Sequence, residues 1–335
     1  MLAFDVAIVL LPVLLFLGTL MLMDSYKLVP PRAVLASMGF GLAAALAAYA
    51  VNRALLESLH VDPILLRRFI APLVEETFKA VAIVVLIRRE RVGFLVDAGI
   101  HGFATGTGFA VFEGLFYLHG LNGVSTLVWV VRGLGTAVMH ASTTALIGIL
   151  SKDLTDRHES RALREFVPGL ALAVGCHSLF NHLLFAPLLA TAAMLALMPV
   201  LLVGVFERSE RATRDWLGRG LDSDAELLEL IHSGEIANTP TGTYLESLRG
   251  RFSGPILADM LCLLEIHAEL SMRAKGLLIA RAAGVELPPD PEVRARFTEM
   301  RFLEGSIGPT GLLAILPLRR ASSRDLWQLH VLEAR

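Results

Sequence analysis

Cysteine is nearly absent from this 335-residue chain, which has two, Cys176 and Cys262. Two thiols, one of them inside an apolar run, build neither a disulfide framework nor a zinc knuckle. A charge bias is missing too: the net charge of −2 selects no partner class, and the basic residues scatter along loops. With no basic patch interleaved with aromatics, nothing points to nucleic-acid binding. No His-Glu-x-x-His occurs, so the usual zinc-protease helix is absent. No Ser or Cys stands in a nucleophile-and-base arrangement either. Ser142 is two residues from His140, on the wrong side of a helix, and Cys176 directly precedes His177. The first apolar run has no Lys or Arg before it and no A-x-A site after it, so it reads as a retained helix rather than a cleaved signal.

What the chain has in excess is apolar sequence. It is 54% hydrophobic, against ~45–50% for soluble domains. Long runs account for the difference: 4–23, 33–51, 69–87, 98–118, 125–150, 166–186 and 187–206. Each approaches the ~20 residues that cross a ~30 Å hydrocarbon core. The expectation is an all-α, polytopic membrane helix bundle of about seven spans over 1–206, with a polar core from the spans at 69–186. A small, mainly helical, soluble tail follows over 207–335. Within it, 222–233 and 253–283 have helical spacing, 305–311 reads as a loop, and 311–318 reads as a short buried core segment.

Loop charge gives the orientation. Lys27 and Arg32, then Arg88, Arg89 and Arg91, then Lys152, Arg157, Arg161 and Arg164 fall on one side, which the positive-inside rule makes cytoplasmic. The leader and the loop at 119–124 carry no basic residue; only the second loop dissents, with Arg53, Arg67 and Arg68. The N-terminus is therefore expected outside and the tail in the cytoplasm of a bacterial-type plasma membrane.

Polar groups inside the spans are costly and mark function by default. Glu75, Glu76 and Lys79 lie within five residues of one run, and Phe109 and Glu113 are one turn apart on the next. Arg132, His140 and Thr144 follow on the fifth, and His177 and Asn181 on the sixth. Residues at i and i+4 share a helix face. Counted from the outer surface, Glu75, Glu76, Glu113, His177 and Asn181 fall at a common depth of ~7–14 Å, at ~1.5 Å per residue. Four spans can thus turn these faces toward one wet cavity. A desolvated carboxylate beside a second one can act as general base on water, and imidazole or amide groups can stabilise an oxyanion. Glu76, Glu113, His140 and His177 also form a candidate zinc site, since three or four such ligands suffice. Arg132 reads as a partner for a carboxylate. Asp97 and His101 read as interfacial, and Gly99, Gly102, Gly106 and Gly108 as close-packing positions.

At these residues the chain resembles the PrsW family of intramembrane proteases, related to the CAAX-prenyl endopeptidase and Abi membrane proteins. The shared pattern is Glu75-Glu76-x-x-Lys79, then Phe109-x-x-x-Glu113, then His140 with Thr144, then His177-x-x-x-Asn181. It covers roughly residues 65–185. The sequence departs at Gly114, where the family often has Asn. The resemblance implies a multi-pass hydrolase that cuts a membrane-tethered protein, similar to a single-span anti-sigma factor, near the extracytoplasmic surface. By analogy, Glu75 or Glu76 activates water with a histidine, while His177 and Asn181 stabilise the oxyanion. The alternative is a non-enzymatic membrane protein whose buried carboxylates and histidines bind a cation or relay protons. An alkaline phosphatase fused within 58–61 is expected to be active, because that loop is placed outside; an inactive fusion moves the polar cavity to the inner face.

Overall fold

The computed structural model describes residues 2–120, 124–182, 186–319 and 323–333, and every regular element among them is helical. Contacts divide the chain into two compact units, Met1–Glu210 and Arg211–Arg335. The elements in order are α1 (Leu2–Met23), α2 (Pro31–Glu57), α3 (Ala71–Arg88), α4 (Leu95–Gly120), α5 (Ala137–Arg157), α6 (Val167–His182) and α7 (Pro187–Ser233). Then come α8 (Pro240–Ser247), α9 (Gly254–Ala282), α10 (Pro291–Arg319) and α11 (Ser323–Glu333).

Helices occupy all seven regions expected to span. Four are long and apolar enough to cross a membrane on their own: Phe4–Met23, Pro31–Glu57, Thr126–Arg157 and Pro187–Ser233. The other three owe their shortfall to what they carry. Eighteen-residue α3 holds Glu75, Glu76, Lys79 and Arg88, α4 is rich in glycine and polar residues, and α6 has 16 residues. The expected outer loop at 119–124 and the end of the sixth run fall partly outside the described residues.

Helix α4 is the centre of the first unit. From Val96 to Ala110 every residue is buried, as expected of a helix packed on all sides. Glycine makes that possible. A Cβ on Gly106 would overlap the His140 carbonyl oxygen, and one on Gly102 the Thr144 carbonyl, while on α5 a Cβ on Gly148 would overlap that of Ala98. The opposite face meets α2 just as closely, through Gly108 against Met38 and Gly41 against Thr105. Small residues let membrane helices approach backbone to backbone, and here the approach sets α5 beside Glu113.

Two π-helical segments precede the polar residues: Leu66–Ile70 before α3, and Val131–Thr136 before α5. Such wide turns recur at functional sites because they redirect side chains. The first is tied to α6, whose Ser178 hydroxyl donates to the Arg68 carbonyl at 2.6 Å and whose Asn181 amide donates to that of Arg67 at 2.9 Å.

Asp97 and His101, expected to be interfacial, are buried within the first unit. Asp97 accepts the backbone N–H groups of Gly93 (2.6 Å) and Phe94 (2.7 Å), capping the start of α4, and His101 Nδ1 is 2.8 Å from the Ser37 hydroxyl. In the second unit, Leu263, Leu270, Phe297 and Ile315 belong to one core. The loop expected at 305–311 is reduced to a kink in α10 at Gly308 (φ 69°), because only that residue needs the left-handed region. Of the run 311–318, Ile315 is buried while Leu313 and Leu316 are exposed, so it is a half-buried helix face.

Gly106→Leu is expected to lower stability in detergent by roughly 1–3 kcal/mol, because the overlap is with backbone. Gly175→Ala, at a position with nothing within 4 Å, is the control and should leave the thermal midpoint in place.

Candidate active site

The last turns of α2, α4 and α6 and the first turns of α3 and α5 surround a cavity of about 770 Å³. Glu75, Glu113, Arg132, His140, His177 and Asn181 line it, beside Tyr49, Phe112 and Phe116. Four helices therefore bring their polar residues to one place.

The two adjacent glutamates diverge, as residues ~100° apart on a helix must. Glu75 faces the cavity, where the Asn52 amide donates to its Oε1 at 3.2 Å. Glu76 is fully buried, and its Oε1 accepts from Lys79 Nζ at 2.6 Å, His177 Nδ1 at 2.8 Å and the Thr143 hydroxyl at 3.2 Å. One carboxylate oxygen thereby joins α3, α5 and α6. Its other oxygen, Oε2, is buried with no hydrogen-bond partner.

His177 donates from Nδ1 to Glu76 Oε1, and its Nε2 is 3.9 Å from Glu75 Oε2. His140 stands edge-on to it, ring centroids 4.8 Å apart. Nε2 of His140 is 3.0 Å from Glu113 Oε2, and Nδ1 is 3.2 Å from Lys79 Nζ. Arg132 pairs with the other Glu113 oxygen at 3.2 Å and stacks 3.5 Å above the Tyr117 ring. Phe109 closes the inner side, 4.8 Å from both the His140 ring centroid and Lys79 Nζ.

Most of the sequence-derived set thus converges, with three changes of detail. Thr144 is buried, but its hydroxyl donates to the His140 carbonyl of its own helix at 2.9 Å; its neighbour Thr143 is the residue that reaches Glu76. Asn181 is on the cavity wall, and one N–H of its amide donates to the Arg67 carbonyl. The grouping able to hold a cation is Glu75, His140 and His177, with ligand atoms within 4.8 Å of one another. Glu76 is taken up by three donors and Glu113 by Arg132 and His140. Asn52, which the sequence analysis did not single out, is in the last turns of α2 next to Arg53, a residue whose charge read as part of a loop.

Among curated proteins and among solved structures, none matches the chain. A family model described as PrsW family intramembrane metalloprotease matches residues 29–205. That stretch includes α2 to α6 and every residue of the cavity described above, and the chain accordingly belongs to the PrsW family of intramembrane proteases.

Proposed function

We propose that this protease hydrolyses a single-span, membrane-tethered protein of the anti-sigma-factor kind, close to the extracytoplasmic face, with Glu75 and His177 acting on the attacking water. The observation that carries the reading is the cavity itself: Glu75, Glu113, His140 and His177, from four helices, meet at one end of the bundle. Seven spans, an outside N-terminus and a cytoplasmic tail over 207–335 complete the proposed topology, which sets the cavity mouth on the outer side.

Glu75 Oε2 and Nε2 of His177 are 3.9 Å apart, too far for a direct hydrogen bond and suited to a bridging water. Both are acceptors, so they orient the two protons of that water and leave an oxygen lone pair for the scissile carbonyl. Glu75 takes the proton lost in the attack and delivers it to the departing amine. Arg132, on the same wall, brings a positive charge to the oxyanion, and the second N–H of the Asn181 amide is a further donor, whereas the His177 Nδ1 proton is committed to Glu76. The apolar wall of Tyr49, Phe112 and Phe116 receives the substrate's side chains.

The donor set suits a divalent cation: one carboxylate and two imidazoles are a common catalytic zinc complement. Glu76, whose Oε1 holds His177 Nδ1 at 2.8 Å, is the kind of carboxylate that orients a metal-bound imidazole. The three donor atoms lie within 4.8 Å of one another, near enough to converge on one ion. Bound by Glu75, His140 and His177, a zinc ion would supply Lewis acidity to the water and the scissile carbonyl.

Glu75→Gln and His177→Ala are each expected to leave the protein inserted and to lower cleavage of a co-reconstituted single-span reporter by roughly 10²–10⁴-fold, the range of a lost general base. Full activity in either variant overturns the assignment of the pair. Dialysis against a chelator is expected to abolish cleavage and added zinc to restore it; unchanged activity at undetectable zinc content would leave the carboxylate and imidazole acting alone.

A further inference from the structure

Three basic residues, Arg53, Arg67 and Arg68, belong to the one loop that dissents from the positive-inside reading. Two of them line the cavity: Arg53 from the last turns of α2, and Arg67 from the π-helical turn before α3. Arg132 is the third arginine on its wall. Two of these three arginines have carboxylate partners. Arg53 Nε is 2.9 Å from Glu57 Oε1, and Arg132 is held by Glu113 at 3.2 Å. Among the described residues no carboxylate pairs with Arg67, which is exposed.

The backbone fixes Arg67 in place. Its carbonyl accepts the Asn181 amide at 2.9 Å, which leaves the guanidinium and its five N–H donors for a ligand. Glu75 follows eight residues later, ~12 Å deeper at ~1.5 Å per residue. An extended peptide advances ~3.3 Å per residue, so that depth corresponds to about three or four residues of substrate. We propose that Arg67 binds a carboxylate side chain of the substrate, three or four residues from the scissile bond on the side away from the membrane core. The inference rests on the proteolytic reading above and adds a charge requirement to it. A guanidinium takes a carboxylate through two parallel N–H bonds, and a chain leading outward from Glu75 passes Arg67 on its way to water. The same chemistry suits a lipid phosphate, but Arg67 stands on the cavity wall beside Asn181, where a chain entering the site meets it. The contact is remote from the reacting atoms, so it acts on affinity rather than on the chemical step.

The test uses the full chain in phosphatidylcholine nanodiscs and single-span reporters whose cleavage site has been mapped. Three or four positions from that site, on the aqueous side, the reporters carry Glu, Gln or Lys. Expected for the wild type is a KM ~3–10-fold lower for the Glu reporter than for the Gln one, as for a partly exposed charged pair, with kcat unchanged. Arg67→Gln should erase that difference. Arg67→Glu should reverse it and make the Lys reporter the best. Both variants keep the carbonyl that Asn181 bonds, so the exchange leaves the fold in place. Arg53→Gln/Glu57→Gln removes the neighbouring pair without changing net charge and should leave the preference for Glu intact. Binding of the same reporters to Glu75→Gln, read by fluorescence anisotropy, separates the two readings. Affinity that follows the charge at position 67, without cleavage by the active chain, strikes the proteolysis and keeps this inference. A wild type indifferent to reporter charge overturns it, as does a preference for Glu that outlives Arg67→Glu. An Arg67 effect that needs added phosphatidylglycerol and is the same for every reporter assigns the guanidinium to a lipid headgroup, and overturns it too. Binding of no reporter overturns both.

Discussion

Everything in the cavity depends on one oxygen atom. Glu76 Oε1 collects Lys79 from its own helix, Thr143 from α5 and His177 from α6. Burying a carboxylate and an ammonium costs several kcal/mol for each ion, and their attraction repays this only with good geometry and further hydrogen bonds. Three donors on one oxygen meet that condition. They also make the arrangement directional, because α3, α5 and α6 can satisfy this charge only at one relative height. The ion pair is thus the register mark of the bundle as well as the anchor of a histidine.

That register would be unreachable if the helices stood at ordinary distances. Glu113 is seven residues beyond Gly106, whose missing side chain leaves room for the His140 carbonyl. The close α4–α5 contact and the Glu113–His140 bond therefore depend on each other: backbone proximity sets the reach, and the polar contact fixes the rotation. On the far side of α4, the equally close approach of Gly41 and Gly108 to neighbouring backbone brings in α2 with Asn52, which completes the wall beside Glu75.

The helical class and the polar set were legible in the sequence because each rests on strong one-dimensional signals. Apolar runs give spans, and ionisable residues within them stand out against the cost of insertion. The glycines of α4 were also readable as contact positions. Less legible was the division of work between Glu75 and Glu76, which is a matter of helix rotation: a shift of ~100° exchanges cavity and core. The π-helical turns before α3 and α5 change that rotation and leave no mark in hydropathy. Thr143 and Thr144 posed the same problem: the spacing singled out Thr144, and Thr143 is the one whose hydroxyl reaches Glu76. The partners of Asp97 and His101, a backbone cap and Ser37, are visible only in three dimensions.

The division between the two glutamates gives each a separate place. The carboxylate that holds His177 is not the one open to the cavity, since Glu76 is fully buried. Glu76 is spent on position, with Lys79 compensating its charge in the core. Glu75, one residue earlier, keeps an oxygen facing the cavity and has one amide donor from Asn52. The first motif therefore encodes an inner and an outer carboxylate in adjacent positions, with the lysine one turn on paired with the inner one.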